Sequence, residues 1–274
     1  MNQSINQSRI LIGSPVYQTP RILERFLDSL AALRRDTVQI DVCFIDDNKD
    51  EESSEMLKKF AESWIENGFG GAVLQKAEPF GEDYVRDEKS HYWTEALMRK
   101  VGIFKDAIIE HAANSGYDYL FLIDSDLVID AELIEHLKSR DKEIVAEVFW
   151  ALWDGCQMEL PNAWMYDGFG FSEPGIPGKE EQRIFNEFIR KFREPGLYKV
   201  GMTGACTLIS KSALLKGVSF APIYNLTIKG EDRHFCIRAA ALGIDIYLDT
   251  CYPAFHIYRE SDLKRLDKER PPKR

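Results

Sequence analysis

Apolar residues follow two rhythms along this chain. Uninterrupted runs in RILIGSPVY (9–17), QIDVCFIDDN (39–48) and YDYLFLIDSDLVI (117–129) predict buried strands. After Pro20, the positions Ile22, Leu23, Phe26, Leu27, Leu30 and Leu33 recur three and four apart, which predicts a helix. Leu97, Val101, Phe104, Ile108 and Ile109 form a second such stripe, on a helix from Thr94 to about Asn114. A helix from about Ser53 to Asn67, a strand near 71–75, a helix from Ala131 to Ser139 and a strand over 143–153 continue the alternation. Strand and helix in turn predict an α/β fold with a mostly parallel central sheet covered on both faces. Ligands in such sheets sit beyond the carboxyl ends of the strands. Two of those ends carry acids, Asp46 with Asp47 and Asp124 with Asp126.

From Asp154 to Lys179 the texture changes to Gly, Pro and aromatics, with Trp164, Tyr166, Phe169 and Phe171 among them. So long a loop is expected to be functional or mobile, and its aromatic faces suit sugar rings. A helix from Glu180 to Arg193, the segment LYKVGMTGACTLISKSAL, the segment IKGEDRHFCIRAAALG and a strand IDIYLD follow. Neither an internal repeat nor a clean linker interrupts the chain, so one domain is expected.

Composition narrows the function. The 274 residues are 45% hydrophobic and 12% aromatic, enough for one sizeable core. A net charge of -10 lacks the basic footprint that nucleic acid requires. An acidic protein that binds a phosphorylated ligand needs a local cation, and a divalent metal is the simplest source. The five cysteines are an odd number, far apart and without a CxxC pair, so they predict reduced thiols rather than a zinc ribbon or a disulfide framework. No leader-like segment or run of ~20 apolar residues is present. A cytoplasmic protein is expected, with a peripheral membrane contact left open.

Four features carry chemistry. Asp124-Ser125-Asp126 follow an apolar run, so a strand end holds two carboxylates where they can share one hard cation; acidic pairs also merely end strands. Gly230 turns the chain into Glu231-Asp232 at a helix start, where acids suit the helix dipole and equally suit general-base work. Gly201 and Gly204 precede an apolar strand and let backbone approach a ligand. His256 follows the final strand, a place where a lone His more often has a structural role.

In this order, FIDDN, FLIDSD, GMTGACTLIS, GEDRHFCIRAAALG and His256 resemble the landmarks of GT-A-fold glycosyltransferases. The texture is nearest to glycosyltransferase family 2, with some likeness around YDYLFLIDSDLV to the fungal mannosyltransferase family Anp1/Mnn9, and spans Ile10 to Tyr258. The resemblance implies a single Rossmann-like GT-A domain over 1–258. Its nucleotide-binding half is about 9–153, its acceptor half about 154–258, and a charged, solvated tail follows at 259–274. It implies a metal-dependent, hexosyltransferase-like enzyme moving a sugar from a nucleotide-diphosphate donor, with a UDP-sugar favoured, to a saccharide or other hydroxyl acceptor. Asp47, Pro15 and Tyr17 would hold the base. Asp126, Asp124 and His256 would hold Mn2+ or Mg2+, with Asp124 also serving the ribose and Ser125 lying in the donor site. Asp232 would be the catalytic base, Glu231 would position donor or acceptor, and Gly204 would border the donor sugar. Inversion is expected from one base, and a retaining GDP-mannose-type reaction is the mechanistic alternative.

Two rivals follow from the same residues. A haloacid-dehalogenase-type phosphatase also uses Asp-x-Asp after a strand, but on the first strand and with a later Gly-Asp motif that is missing here. A non-catalytic nucleotide-sugar-binding relative would have no need of both Asp126 and Asp232. The chain departs from the family pattern at Arg99-Lys100, where many members carry Arg-Asn, and His91-Tyr92-Trp93 has no role in it.

Overall fold

The computed structural model describes residues 7–86, 91–153 and 155–269. β1 (Ser8–Val16), β2 (Val38–Asp46) and β3 (Ala72–Lys76) lie parallel, joined by α1 (Pro20–Ala31) and α2 (Glu51–Glu66). Asp50 caps α2 by accepting from the Glu52 and Ser53 backbone N–H groups. That cap starts the helix two residues before the apolar spacing places it. A hairpin of β4 (Val85–Arg86) and β5 (His91–Tyr92) precedes α3 (Glu95–Asn114), which Thr94 caps. β6 (Tyr119–Leu122) returns beside β1, followed by β7 (Leu127–Val128), α4 (Leu133–Ser139) and β8 (Ile144–Ala151).

The long loop contains β9 (Leu160–Pro161) and β10 (Ala163–Trp164) and ends at α5 (Gly178–Phe192). Its Trp164, Phe169 and Phe171 pack against the core rather than standing open. Asp154, where the loop was expected to begin, lies outside the described residues. β11 (Leu197–Val200), β12 (Met202–Thr203), β13 (Thr207–Ser210), α6 (Lys211–Lys216), α7 (Glu231–Ala241), β14 (Ile246–His256) and α8 (Leu263–Glu269) complete the chain.

The sheet runs β3-β2-β1-β6-β13-β8-β14-β11. β3, β2, β1 and β6 are mutually parallel, as are β8 and β14, while β13 and β11 run against their neighbours. The fold is the expected α/β sheet, mixed but mostly parallel. Strand alternation divides its core in two. Leu11 faces α3 with Phe104 and Ile108, whereas Ile10 and Ile12 face α1 and α2 with Leu23, Phe26 and Trp64. α3 lies so close to β1 that a Cβ on Gly13 would be 2.2 Å from the Ile108 methyl.

β14 is far longer than the predicted IDIYLD strand. Its pairing with β8 is irregular between Asp249 and Ala254, and its end then pairs with β7, His256 opposite Leu127. This bend carries His256 to the acidic triplet. Within the stretch expected as a charged tail, Leu263 and Leu266 are buried against Ile22, Phe255 and Ile257. Residues 270–274 of that stretch lie outside the described residues. Among the described residues no helix is long and apolar enough to cross a membrane.

Candidate active site

The carboxyl ends of β1, β2 and β6 open into one cavity. Pro15, Tyr17, Asp47, Asp124, Ser125 and Asp126 line it, together with Tyr84, Trp93, Leu97 and Val101. The two acids of FIDDN have separate fates. Asp46 is buried, accepting from Asn48 Nδ2 at 2.7 Å and from Lys76 Nζ at 3.0 Å. Asn48 Oδ1 accepts from the Gln18 N–H, which ties the loops after β1 and β2 together. Asp47 faces the cavity, 2.7 Å from Lys100 Nζ. Lys100, standing where the family pattern has Asn, is therefore the buried counter-ion of Asp47.

The stretch without a role in the sequence pattern contributes to this cavity. His91 lies 2.6 Å from both the Tyr84 hydroxyl and the Tyr258 carbonyl and stacks on the Tyr258 ring. It pins the hairpin to the end of β14. Tyr84 meets Tyr17 and Trp93 with ring centroids 5.7 and 5.3 Å apart. Flat aromatic faces thus border the space beside Asp47.

His256 does not line this cavity but a separate one with Trp150, Arg193 and Phe255; its Nε2 lies 3.4 Å from Asp126 Oδ2 behind the triplet. His256 Nδ1 is buried and has no hydrogen-bond partner. Carboxylate oxygens and one imidazole are ligand types that a Mn2+- or Mg2+-class ion takes, but among the described residues Asp124, Asp126 and His256 do not form a group whose ligand atoms all lie within 4.8 Å of one another. A different set, His136, Asp249 and Cys251, does bring its potential ligand atoms within 4.8 Å of one another. There the Arg140 guanidinium donates to both Asp249 and Cys251, so a cation already fills that place. Beside it, burial pushes the Glu147 carboxyl up to about 9, the Asp249 charge adding to the effect.

The acid pair at the start of α7 stands behind Asp124. Lys105 Nζ from α3 reaches Glu231 Oε1 at 2.9 Å, Asp124 Oδ1 at 3.4 Å and Asp232 Oδ1 at 3.5 Å. Glu231 lies against Lys105 and lines neither cavity. Asp232 has its other oxygen toward Gly204, where a Cβ would come within 3.1 Å of Oδ2. Gly204, Lys105, Asp124 and Asp232 line a second, smaller cavity that shares Asp124 with the first. Burial raises the Asp232 pKa to about 7; Lys105 opposes that shift, and the Glu231 and Asp124 charges reinforce it. Asp124 is raised as well, by burial first, although its side chain is 43% exposed and that open face moderates the effect.

The Gly204 loop is held from both sides. Asn162 Nδ2 donates to the Glu147 and Ala205 carbonyls, and the Cys236 thiol donates to the Thr203 carbonyl. Arg233, one residue beyond Asp232, grips Asp167 through two hydrogen bonds of 2.5 and 2.9 Å, tying the long loop to α7. Lys105, Tyr84 and Trp93 were not among the predicted site residues. Lys105 had a legible signal, a charge four residues after Val101 and three before Ile108 on an otherwise apolar helix face.

No family model and no curated protein matches the chain. Solved structures do. TarS 1–349 of S. aureus in complex with UDP-GlcNAc aligns at TM-score 0.51 and 14% identity, over 90% of this chain and 58% of that one. TarS 1–349 by itself aligns at 0.52 and 12%, over 90% and 60%. GalNAc-T7 with UDP, GalNAc and Mn2+ aligns at 0.55 and 14%, over 93% and 44%. This chain thus spans about three fifths of the TarS fragment and less than half of GalNAc-T7. At such identities the likeness establishes the architecture: the chain has the GT-A fold.

Proposed function

We propose that this chain is a glycosyltransferase that moves a sugar from a nucleotide-diphosphate donor, a UDP-sugar, to an acceptor hydroxyl with inversion. One observation carries the reading. The cavity at the strand ends and the cavity holding Asp232 both include Asp124 in their lining, which supports a nucleotide and a proton acceptor on either side of that residue. The structures of similar fold that hold UDP-GlcNAc, or UDP with Mn2+, support the donor class.

In this reading the base lies between Tyr17 and the Tyr84–Trp93 wall, with Asp47 accepting one of its N–H groups. The diphosphate lies toward Asp124 and Asp126. Asp126 and His256 would hold a divalent cation, joined by Asp124 through the oxygen turned away from Lys105. When bound, such a cation offsets the negative charge of the departing diphosphate. Asp232 Oδ2 takes the proton of the acceptor hydroxyl as that oxygen forms its bond to the anomeric carbon. The bond from that carbon to the diphosphate oxygen breaks on the opposite face, which inverts the centre.

The test is donor turnover with and without Mn2+. Release of UDP from a UDP-sugar, dependent on Mn2+ and reduced ~10²-fold or more in Asp126→Asn, is the expected result. Phosphate release from a phosphomonoester without nucleotide-sugar turnover would instead support the phosphatase. Equal UDP affinity by calorimetry with metal and with chelator would sink the metal assignment.

A further inference from the structure

Lys105 is the most deeply enclosed charge of the site, with a side chain 3% exposed. Lysine is rarely buried without partners, and this one faces three carboxylates from two other parts of the chain. Its ammonium has three N–H donors and no acceptor. The Phe220 ring closes another side, 5.2 Å from Nζ. Glu231 makes the shortest contact of the three and opens into neither cavity, so its carboxylate serves the lysine rather than a substrate.

We propose that Lys105 and Glu231 act together as positioning residues for transfer. Glu231 anchors the ammonium, and the ammonium holds Asp232 and Asp124 by their Oδ1 atoms. Asp232 Oδ2 is thereby left facing Gly204, whose lack of a side chain keeps that oxygen uncovered. Without the ammonium, Asp124, Glu231 and Asp232 would repel one another across the junction of the two cavities. Asp232 would then turn away from its neighbours, and the proton acceptor would lose its fixed direction. Glu231 thus differs from Asp232 in kind: one acts through a lysine, the other on the acceptor. This inference rests on the glycosyltransferase reading above.

The test compares Lys105→Met, Lys105→Arg, Glu231→Gln, the Lys105→Met/Glu231→Gln double variant and Asp232→Asn in transfer, with UDP affinity measured by calorimetry in Mn2+. Lys105→Met and Glu231→Gln are each expected to lower kcat by ~10²-fold, the lower end of what a lost general base costs. Donor KM and UDP affinity should change less than kcat, because Lys105 bears on the nucleotide only through Asp124 and Glu231 only through Lys105. Lys105→Arg should recover about tenfold of the loss, since it restores charge and donors in a different shape. The double variant should be no worse than either single one, as expected of residues acting as a unit. Wild-type kcat in Lys105→Met, a loss falling on UDP affinity with kcat unchanged, or losses that multiply in the double variant would each overturn the proposal. Where Lys105→Met does not fold, unchanged kcat in Glu231→Gln overturns it and a loss of kcat restored by no change in donor concentration supports it. A wild-type chain silent toward every nucleotide sugar would remove the glycosyltransferase reading and this inference together. Activity lost in Asp232→Asn but kept in Lys105→Met would remove this inference alone.

Discussion

Adjacent acids do different work in this molecule because of what surrounds each one. Asp46 is locked by Asn48 and Lys76, while Asp47, one residue on, faces the cavity beside Lys100. Glu231 lies on Lys105, while Asp232 keeps one oxygen toward Gly204. Under the proposed mechanism, with Asp232 as the base, its environment also implies a pH dependence. A base must be ionised to accept a proton, and burial raises this carboxyl to about 7. Transfer should therefore rise with pH between about 6 and 8, the window around that value, and fall off on the acid side. In Asp232→Asn the rate should drop by ~10² to 10⁴ and the rising limb should vanish, with UDP affinity little changed. A pH–rate profile in which the variant keeps the wild-type limb would assign the titration to another group.

At the scale of elements, the site depends on how few segments are bent toward it. Tyr84 and Trp93 flank the β4–β5 hairpin ahead of α3, and His91 fastens the hairpin to Tyr84 and to Tyr258. An aromatic wall of this kind stabilises a stacked base by ~1–3 kcal/mol. Trp93→Ala is thus expected to weaken UDP binding by about 5- to 150-fold while leaving Tm close to wild type, since Trp93 is 43% exposed. Calorimetry giving unchanged UDP affinity would place the base elsewhere. Several aromatics of the loop after Asp154 are packed, while Tyr166 is exposed. Phe171 packs on Phe185 and Phe188 of α5, and Asp167 is gripped by Arg233. Trp164, Phe169 and Phe171 contribute to packing, and the loop's tie to α7 bears on the position of the acid pair.

At the scale of the whole molecule, the end of the described chain closes the first helix rather than trailing into solvent. Leu263 and Leu266 complete a small core with Ile22, Val128, Phe255 and Ile257. Burying each leucine contributes ~1.5–3 kcal/mol, a large share of a total that is typically ~5–15 kcal/mol. The ion pairs Arg21–Glu260 and Arg25–Asp267 beside them lie nearer the surface, where each such pair contributes ~0–1 kcal/mol. A chain ending at Tyr258 should lose roughly 10 °C or more in Tm. A truncated protein with unchanged Tm would mean that the segment contributes nothing to folding.

What the sequence by itself determined is local. Apolar periodicity located β1, β2, β6, α1 and α3, because a buried face needs apolar residues at the repeat of its own backbone. The acids at the strand ends were legible for the same reason, since a strand that stops being apolar stops at the sheet edge. Only the tertiary structure decided how distant pieces meet. No period in TLIS says that β13 inserts antiparallel between β6 and β8, because strand order depends on partners rather than on the strand. The irregular stretch of β14 after Asp249 brings His256 to Asp126, and nothing in IDIYLD announces it. Lys105 meets Glu231 across 126 residues. A lone lysine on an apolar helix face marks itself as unusual, but its partners are chosen by the packing of α3 against α7, and burial then makes those partners obligatory.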